Sequence, residues 1–137
     1  MAVLYVDGDN FKDINDHFGH EVGDEFLHQF GCALKSSVRS NDLVVRIGGD
    51  EFAIVLTGLV KDEQTRDQQV KQIIERIKET LETGWVISNQ QFSPTSSIGV
   101  SFYPDHGTKL EELLHLADRA LYDVKSLSKN NYKIYQN

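Results

Sequence analysis

Leu43-Val44-Val45-Arg46-Ile47-Gly48-Gly49-Asp50-Glu51-Phe52-Ala53-Ile54-Val55-Leu56 decides the fold. Two β-rich runs, Leu43 to Ile47 and Phe52 to Leu56, flank a Gly-Gly turn, which is the pattern of a β-hairpin. A doubly wound sheet needs strict β-α-β alternation, and this hairpin breaks it. Upstream, Ala2 to Val6 is a continuous apolar run, as in a central strand covered on both faces. A helical turn from Phe11 to Phe18 stops at Gly19. Val22, Phe26, Phe30, Ala33, Leu34 and Val38 then recur at helical spacing. Downstream, Val70, Ile73, Ile74, Ile77 and Leu81 mark one face of a long helix. Trp85 to Ser88 and Ser96 to Phe102 read as strands separated by a turn near Pro94. Leu110, Leu113, Leu114, Ala117, Leu121 and Val124 mark a last helix, and Tyr132 to Tyr135 a short closing strand. The order β-α-α-β-β-α-β-β-α-β predicts an α+β fold, a mostly antiparallel sheet flanked by helices.

The 137 residues suit one domain, which can bury about 68% of the surface of its unfolded chain. Hydrophobic residues are 39% and charged residues 26%, a globular rather than disordered balance. The net charge of −7 argues against gripping a nucleic-acid polymer or an anionic membrane through bulk charge. It leaves room for an anionic ligand held through metal ions. The lone Cys32 excludes an internal disulfide and a cysteine-rich zinc site, and a reducing, cytoplasmic setting is expected. No apolar run approaches the roughly 18 residues of a membrane helix. Met1 to Val6 is too short for a signal peptide. A chain that opens inside a strand is expected to belong to a longer protein.

Two acidic clusters stand out: Asp7 and Asp9 after the first strand, and Asp50-Glu51 after the glycines. If strand and hairpin are neighbours, both clusters lie on one rim. Crowded carboxylates resist ionising. A hard divalent cation relieves them, and Mg²⁺ takes one or two carboxylates together with substrate phosphates. The plainer reading of Asp7-Gly8-Asp9 alone is a solvated turn; Asp50-Glu51 behind two glycines shifts the balance toward a site. Gly48 and Gly49 let the backbone approach a ligand without a Cβ in the way. A calcium loop from Asp7 fails at Phe11, Lys12 and Phe18. His20-Glu21 lacks the second histidine of a zinc protease, and there is neither a P-loop nor a nucleophile elbow. Lys12, one short turn past Asp7, is a surface charge or a neutraliser of phosphate. Asn15 and Asp24 can read a guanine, although a helix-interior polar role suits Asn15 equally. His20 lies in the turn facing the first cluster.

Gly48-Gly49-Asp50-Glu51-Phe52 is the signature of the GGDEF family, the diguanylate cyclases. It comes with Asp7 to Asp16, with Phe18 to Asp24, with Ser97-Ile98-Gly99-Val100 and with Ala117 to Lys125. In order and spacing the chain resembles that family from end to end, as a single GGDEF domain over 1–137. The resemblance implies a ferredoxin-like core, as in the palm of nucleotide cyclases and polymerases. It also implies condensation of two GTP into cyclic di-GMP with release of two pyrophosphates. Each half-site would hold one GTP and two Mg²⁺, with Mn²⁺ as an alternative, and two copies would meet transiently about a two-fold axis.

Carried over by position, Asp7, the Gly8 carbonyl and Asp50 would bind metal. Glu51 would act on metal or activate the 3′-hydroxyl. The amides of Asn10 and Phe11, with Lys12, Lys125 and Lys129, would hold phosphates near Gly49. Asn15 and Asp24 would read guanine, and His20 would lie near the ribose. Asp9 would support the turn. Arg39-Ser40-Asn41-Asp42 resembles the family's inhibitory product site, Arg39 forking onto a phosphate or guanine and Asp42 accepting from guanine. A further arginine there would be Arg66 or Arg76.

Three departures stand out. The family domain usually starts with an N-terminal helix and an Asp-x-Leu-Thr-Gly-Leu-x-Asn-Arg segment, which the sequence from Met1 is expected to lack. Gly8 replaces a bulky aliphatic residue. Ser128-Lys129-Asn130 replaces Gly-Arg-Asn, so Lys129 keeps the charge and loses the fork. The ending resembles GGDEF domains that run into an EAL phosphodiesterase domain, and sensor domains and membrane attachment would belong to the parent protein. A second reading is therefore a GTP-binding regulatory module that turns nothing over. A third is an inert receptor for cyclic di-GMP.

Overall fold

The hairpin is present, and it lies beside the first strand. The computed structural model describes residues 1–136. β1 (Ala2–Gly8) leads into α1 (Phe11–Phe18) and α2 (His20–Ser37), and β2 (Leu43–Gly48) turns back as β3 (Glu51–Leu56). Then come α3 (Glu63–Thr83), β4 (Trp85–Ile87), β5 (Gln90–Phe92), β6 (Ser96–Phe102), α4 (Leu110–Leu127) and β7 (Tyr132–Ile134). The main sheet runs β2-β3-β1-β6-β7, antiparallel except where β7 joins β6 in parallel. Within it, β1-α2-β2-β3-α3-β6 with strand order β6-β1-β3-β2 is the ferredoxin-like arrangement.

The sequence predicts one strand over Trp85 to Ser88. The structure instead shows a small separate hairpin, β4 paired with β5. Its turn residues Ser88 and Asn89 have φ of 51° and 66°. Two successive left-handed residues suit a two-residue hairpin turn, but Ser-Asn lacks the glycine that usually announces one.

The sheet has two unlike faces. Ala2, Leu4 and Val6 of β1 join Phe52, Ile54 and Leu56 of β3 and Ile98, Val100 and Phe102 of β6 in one core with α2 and α3. Phe26, Phe30 and Phe102 are almost wholly buried there, each contributing about 2 kcal/mol. The other face carries Val3, Tyr5 and Asp7 and is covered by α4, which packs on β6, β1 and β7. Gly99 permits this close approach, since a Cβ there would lie 1.9 Å from the Ala117 carbonyl oxygen. Leu43, Val45 and Ile47 of β2 remain exposed. The rim that carries both acidic clusters is therefore the end of the sheet where β1 stops and the β2–β3 turn begins.

Candidate active site

β1 and β3 run antiparallel with Asp7 opposite Glu51. The two acidic clusters therefore meet on one rim. Ligand oxygens of Asp7, Asp50 and Glu51 all lie within 4.8 Å of one another. The turn holding Asp50 needs glycine: Gly49 has φ 46°, left-handed. Arg46 fastens that turn by donating from Nε to the Gly49 carbonyl at 2.9 Å, beside a register shift between Arg46 and Gly48.

Asp7 is 8% exposed. Burial pushes its carboxyl up to about 6, with the Lys125 hydrogen bond opposing and the Asp50 charge adding. Lys125 of α4 forms an ion pair with its Oδ2, while Oδ1 is buried without any hydrogen-bond partner. An orphaned carboxylate oxygen facing two further carboxylates is an all-oxygen donor set that fits a hard divalent cation.

Two residues that the sequence did not single out join this cluster. Tyr5 donates its hydroxyl to Glu51 Oε2. Burial raises the Tyr5 phenol well above its ordinary value, with the Glu51 bond and neighbouring negative charges adding to it. Asp118 of α4 also stands near; burial, then the Glu51 charge, raises its carboxyl. The diagonal cross-strand geometry that brings Tyr5 to Glu51 is visible only once strands are paired.

Asp9 belongs to a different network. It is 5% exposed and accepts from Thr95 Oγ1 at 2.7 Å, Ser97 Oγ at 2.7 Å and the Asn130 amide at 2.9 Å. Its role is to tie the end of β1 to β6 and to the segment after α4. The solvated-turn reading of Asp7 and Asp9 thus fails, because both are buried.

Asn10 begins α1 in the left-handed conformation, φ 61°, with no side-chain cap on the helix. Its Oδ1 instead receives Lys129 Nζ at 3.3 Å, while the Phe11 ring packs 5.8 Å from that of Phe26. Lys12 is exposed. Asn15 lies against α2 at Gly23, where a Cβ would fall 1.8 Å from its Oδ1; the exposed Asp24 is the next residue. His20, first in α2, is also exposed. Neither Lys12 nor His20 forms a hydrogen bond or ion pair with the carboxylates among the described residues. At Gly8, a Cβ would meet the Phe30 ring at 3.5 Å, so that ring fills space a larger side chain would use.

Arg39 and Asp42 face each other at 3.1 Å. Asp42 also accepts from the Thr57 amide at 3.0 Å, and Arg39 donates to the Thr57 carbonyl. Burial opposes ionisation of Asp42, but bonds from Arg39 and Thr57 hold its carboxyl below the usual range. Arg76 of α3 donates to the Ser37 carbonyl at 3.3 Å, two residues before Arg39. Arg66 is engaged elsewhere, over the Phe102 ring and against Asp67 and Asp105.

A ferredoxin-like sheet with a cluster of carboxylates at the rim of its central strands defines the class, a nucleotide-cyclase palm. The chain belongs to the diguanylate cyclase GGDEF-domain family, whose model matches residues 1–131. It is 37% identical over 132 residues to the uncharacterized protein YhcK of Bacillus subtilis, covering 95% of this chain and 35% of that protein. It is 33% identical to the cyclic di-GMP phosphodiesterase NbdA of Pseudomonas aeruginosa, covering 98% of this chain and 16% of that protein. To the diguanylate cyclase TpbB of the same species it is 34% identical, covering 98% of this chain and 30% of TpbB. The crystal structure of the TpbB GGDEF domain superposes with TM-score 0.91 at 33% identity, covering 99% of this chain and 82% of that one. An EAL/GGDEF domain protein from M. capsulatus superposes with TM-score 0.87 at 39% identity, covering 99% and 84%. The chain thus spans about a third or less of the curated relatives it matches. Among the described residues no helix is long and apolar enough to cross a membrane.

Proposed function

We propose that this chain is a diguanylate cyclase domain that joins two GTP into cyclic di-GMP. The carrying observation is the cluster of Asp7, Asp50 and Glu51 oxygens within 4.8 Å, with Asp7 Oδ1 lacking a partner. The intact Gly48-to-Phe52 string and the TpbB relative support the same reading. Asp7, Asp50, Glu51 and the Gly8 carbonyl would hold Mg²⁺ or Mn²⁺. Such ions lower the pKa of an attacking hydroxyl and neutralise charge on a transferring phosphoryl group.

The chain's own groups do the rest. The Asn10 and Phe11 amides at the uncapped start of α1, with Lys12 and Lys129, take the β- and γ-phosphates. Lys125, paired with Asp7 in this structure, would be free to hold the phosphates where a cation took its place on Asp7. Asn15 and Asp24 accept from and orient the guanine. His20 borders the ribose and Gly49 the phosphate path. The 3′-hydroxyl of each GTP attacks the α-phosphorus of the other. Each of the two new P–O bonds replaces a bond to pyrophosphate, so two pyrophosphates leave, and each hydroxyl proton is lost to solvent. Because each half-site holds one nucleotide, two copies meet about a two-fold axis. Arg39 and Asp42, with Arg76 rather than Arg66 at hand, would bind the product.

The EAL/GGDEF neighbour and the phosphodiesterase relative favour one alternative, a nucleotide-binding regulatory module beside an EAL domain. Incubation with GTP and Mg²⁺, read by chromatography, separates them. Cyclic di-GMP from the parent chain and none from Glu51→Ala is the expected result. GTP binding without turnover, at concentrations where two copies associate, would establish the regulatory reading instead.

A further inference from the structure

Tyr5 pairs with Ala53 and Asp7 with Glu51 in the β1–β3 register, so Tyr5 and Glu51 are diagonal neighbours on the α4 face. A tyrosine is long enough to span that diagonal. Its hydroxyl reaches Glu51 Oε2 and is the sole hydrogen-bond donor to that carboxylate among the described residues. Three other carboxylates crowd and repel it, Asp7 and Asp50 in the cluster and Asp118 from α4, and the nearby cation Lys125 is paired with Asp7. A free glutamate there would swing toward solvent and regain its rotamer freedom.

Resting on the metal-site reading above, we propose that Tyr5 is a positioning residue, whose hydroxyl holds Glu51 in the cluster and leaves Oε1 for the cation. Tyr5 touches neither substrate nor metal. It fixes the ligand that does, as outer hydrogen bonds do at metal centres. Phenylalanine at position 5 keeps the ring and its packing and removes only the tether.

The test compares the parent chain, Tyr5→Phe, Glu51→Ala and the double variant. Mn²⁺ binding is measured by calorimetry in the presence of a non-hydrolysable GTP analogue, together with melting temperature and cyclase turnover. Tyr5→Phe should weaken Mn²⁺ binding about 10-fold with an unchanged melting temperature. At saturating Mn²⁺ its kcat should fall while KM for GTP stays. In the Glu51→Ala background the same change should cost no further Mn²⁺ affinity. Equal affinity in Tyr5→Phe and the parent overturns the role, as does an equal loss with Glu51 absent, which would place Tyr5 elsewhere in the fold. A parent chain that binds no Mn²⁺ with the analogue present overturns the metal-site reading itself, and the tether falls with it. Binding without turnover leaves the tether measurable and counts only against the cyclase.

Discussion

Asp7 on β1 stands directly opposite Glu51 on β3. Like charges in that relation are destabilising, and burial has already pushed Asp7 up to about 6. At neutral pH the fold therefore carries an electrostatic cost at its rim, offset in part by Lys125. A divalent cation changes that cost into attraction. Mn²⁺ with a GTP analogue at about 100 times its dissociation constant should add about 2.7 kcal/mol, a rise of several degrees in melting temperature. Asp7→Asn should lose most of that rise. An equal shift in both proteins, followed by scanning calorimetry, would remove Asp7 from the ligand set.

Asp9 tests the opposite role. Its carboxylate takes three hydrogen bonds in a buried site, two from β6 and its approach and one from the loop after α4. Asp9→Ala leaves those donors unsatisfied and should cost about 3 kcal/mol in denaturant unfolding. Asp9→Asn keeps the shape and should cost less. A loss of turnover in Asp9→Ala without loss of stability would mean that Asp9 acts on the reaction directly.

Much of this was legible because the signals are periodic. The Gly48-Gly49 hairpin, the buried run of β1 and the apolar faces of α2, α3 and α4 each follow from spacing. The rim of carboxylates follows once β1 and β3 are neighbours, since Asp7 and Asp50-Glu51 both lie at strand ends. What escaped depended on register or on long-range donors. Tyr5 reads as one more apolar strand residue until Ala53 is its partner. Asp9 looks like half of a pair with Asp7 until Thr95, Ser97 and Asn130 close around it. The β4–β5 hairpin turns on Ser88-Asn89, whose sequence carries no glycine. Arg76 and Arg66 are equivalent in the sequence, and only the fold sets one beside Ser37 and the other on Phe102.

Gly23 connects the packing of two helices to Asn15, which is proposed to read the base. A Cβ there would lie 1.8 Å from Asn15 Oδ1. In Gly23→Ala the Asn15 side chain must leave its place against α2. Alanine also favours helix over glycine by about 1 kcal/mol, so stability should hold or rise. GTP binding should weaken about 10-fold, because a buried base edge would lose its partner, while preference for GTP over ATP narrows. Fluorescence titration with labelled GTP and ATP reads both. Unchanged selectivity would return Asn15 to the role of a helix-interior polar residue.

Arg39 and Asp42 should separate product binding from stability. The Asp42 side chain is fully covered and that of Arg39 is 44% exposed. Asp42 holds the Thr57 amide at the end of β3. Removing it strands that amide at about 1–3 kcal/mol, whereas Arg39 mostly adds an exposed ion pair worth under about 1 kcal/mol. Arg39→Ala should therefore weaken cyclic di-GMP binding at least as much as Asp42→Ala but lower the melting temperature less. The pH dependence has a definite sign. Asp42 is held below its ordinary value in the fold, so its contribution is complete above the ordinary carboxylate pKa of about 3.9. That contribution is lost as pH falls through the folded value. The gap in stability between parent and Asp42→Ala should therefore be constant from neutral pH down to about 5 and close only in stronger acid. Equal melting temperatures for the two alanine variants at pH 7 would mean that the Thr57 tether carries no weight. A gap that closes between pH 7 and 5 would mean that Asp42 is not held ionised by Arg39 and Thr57.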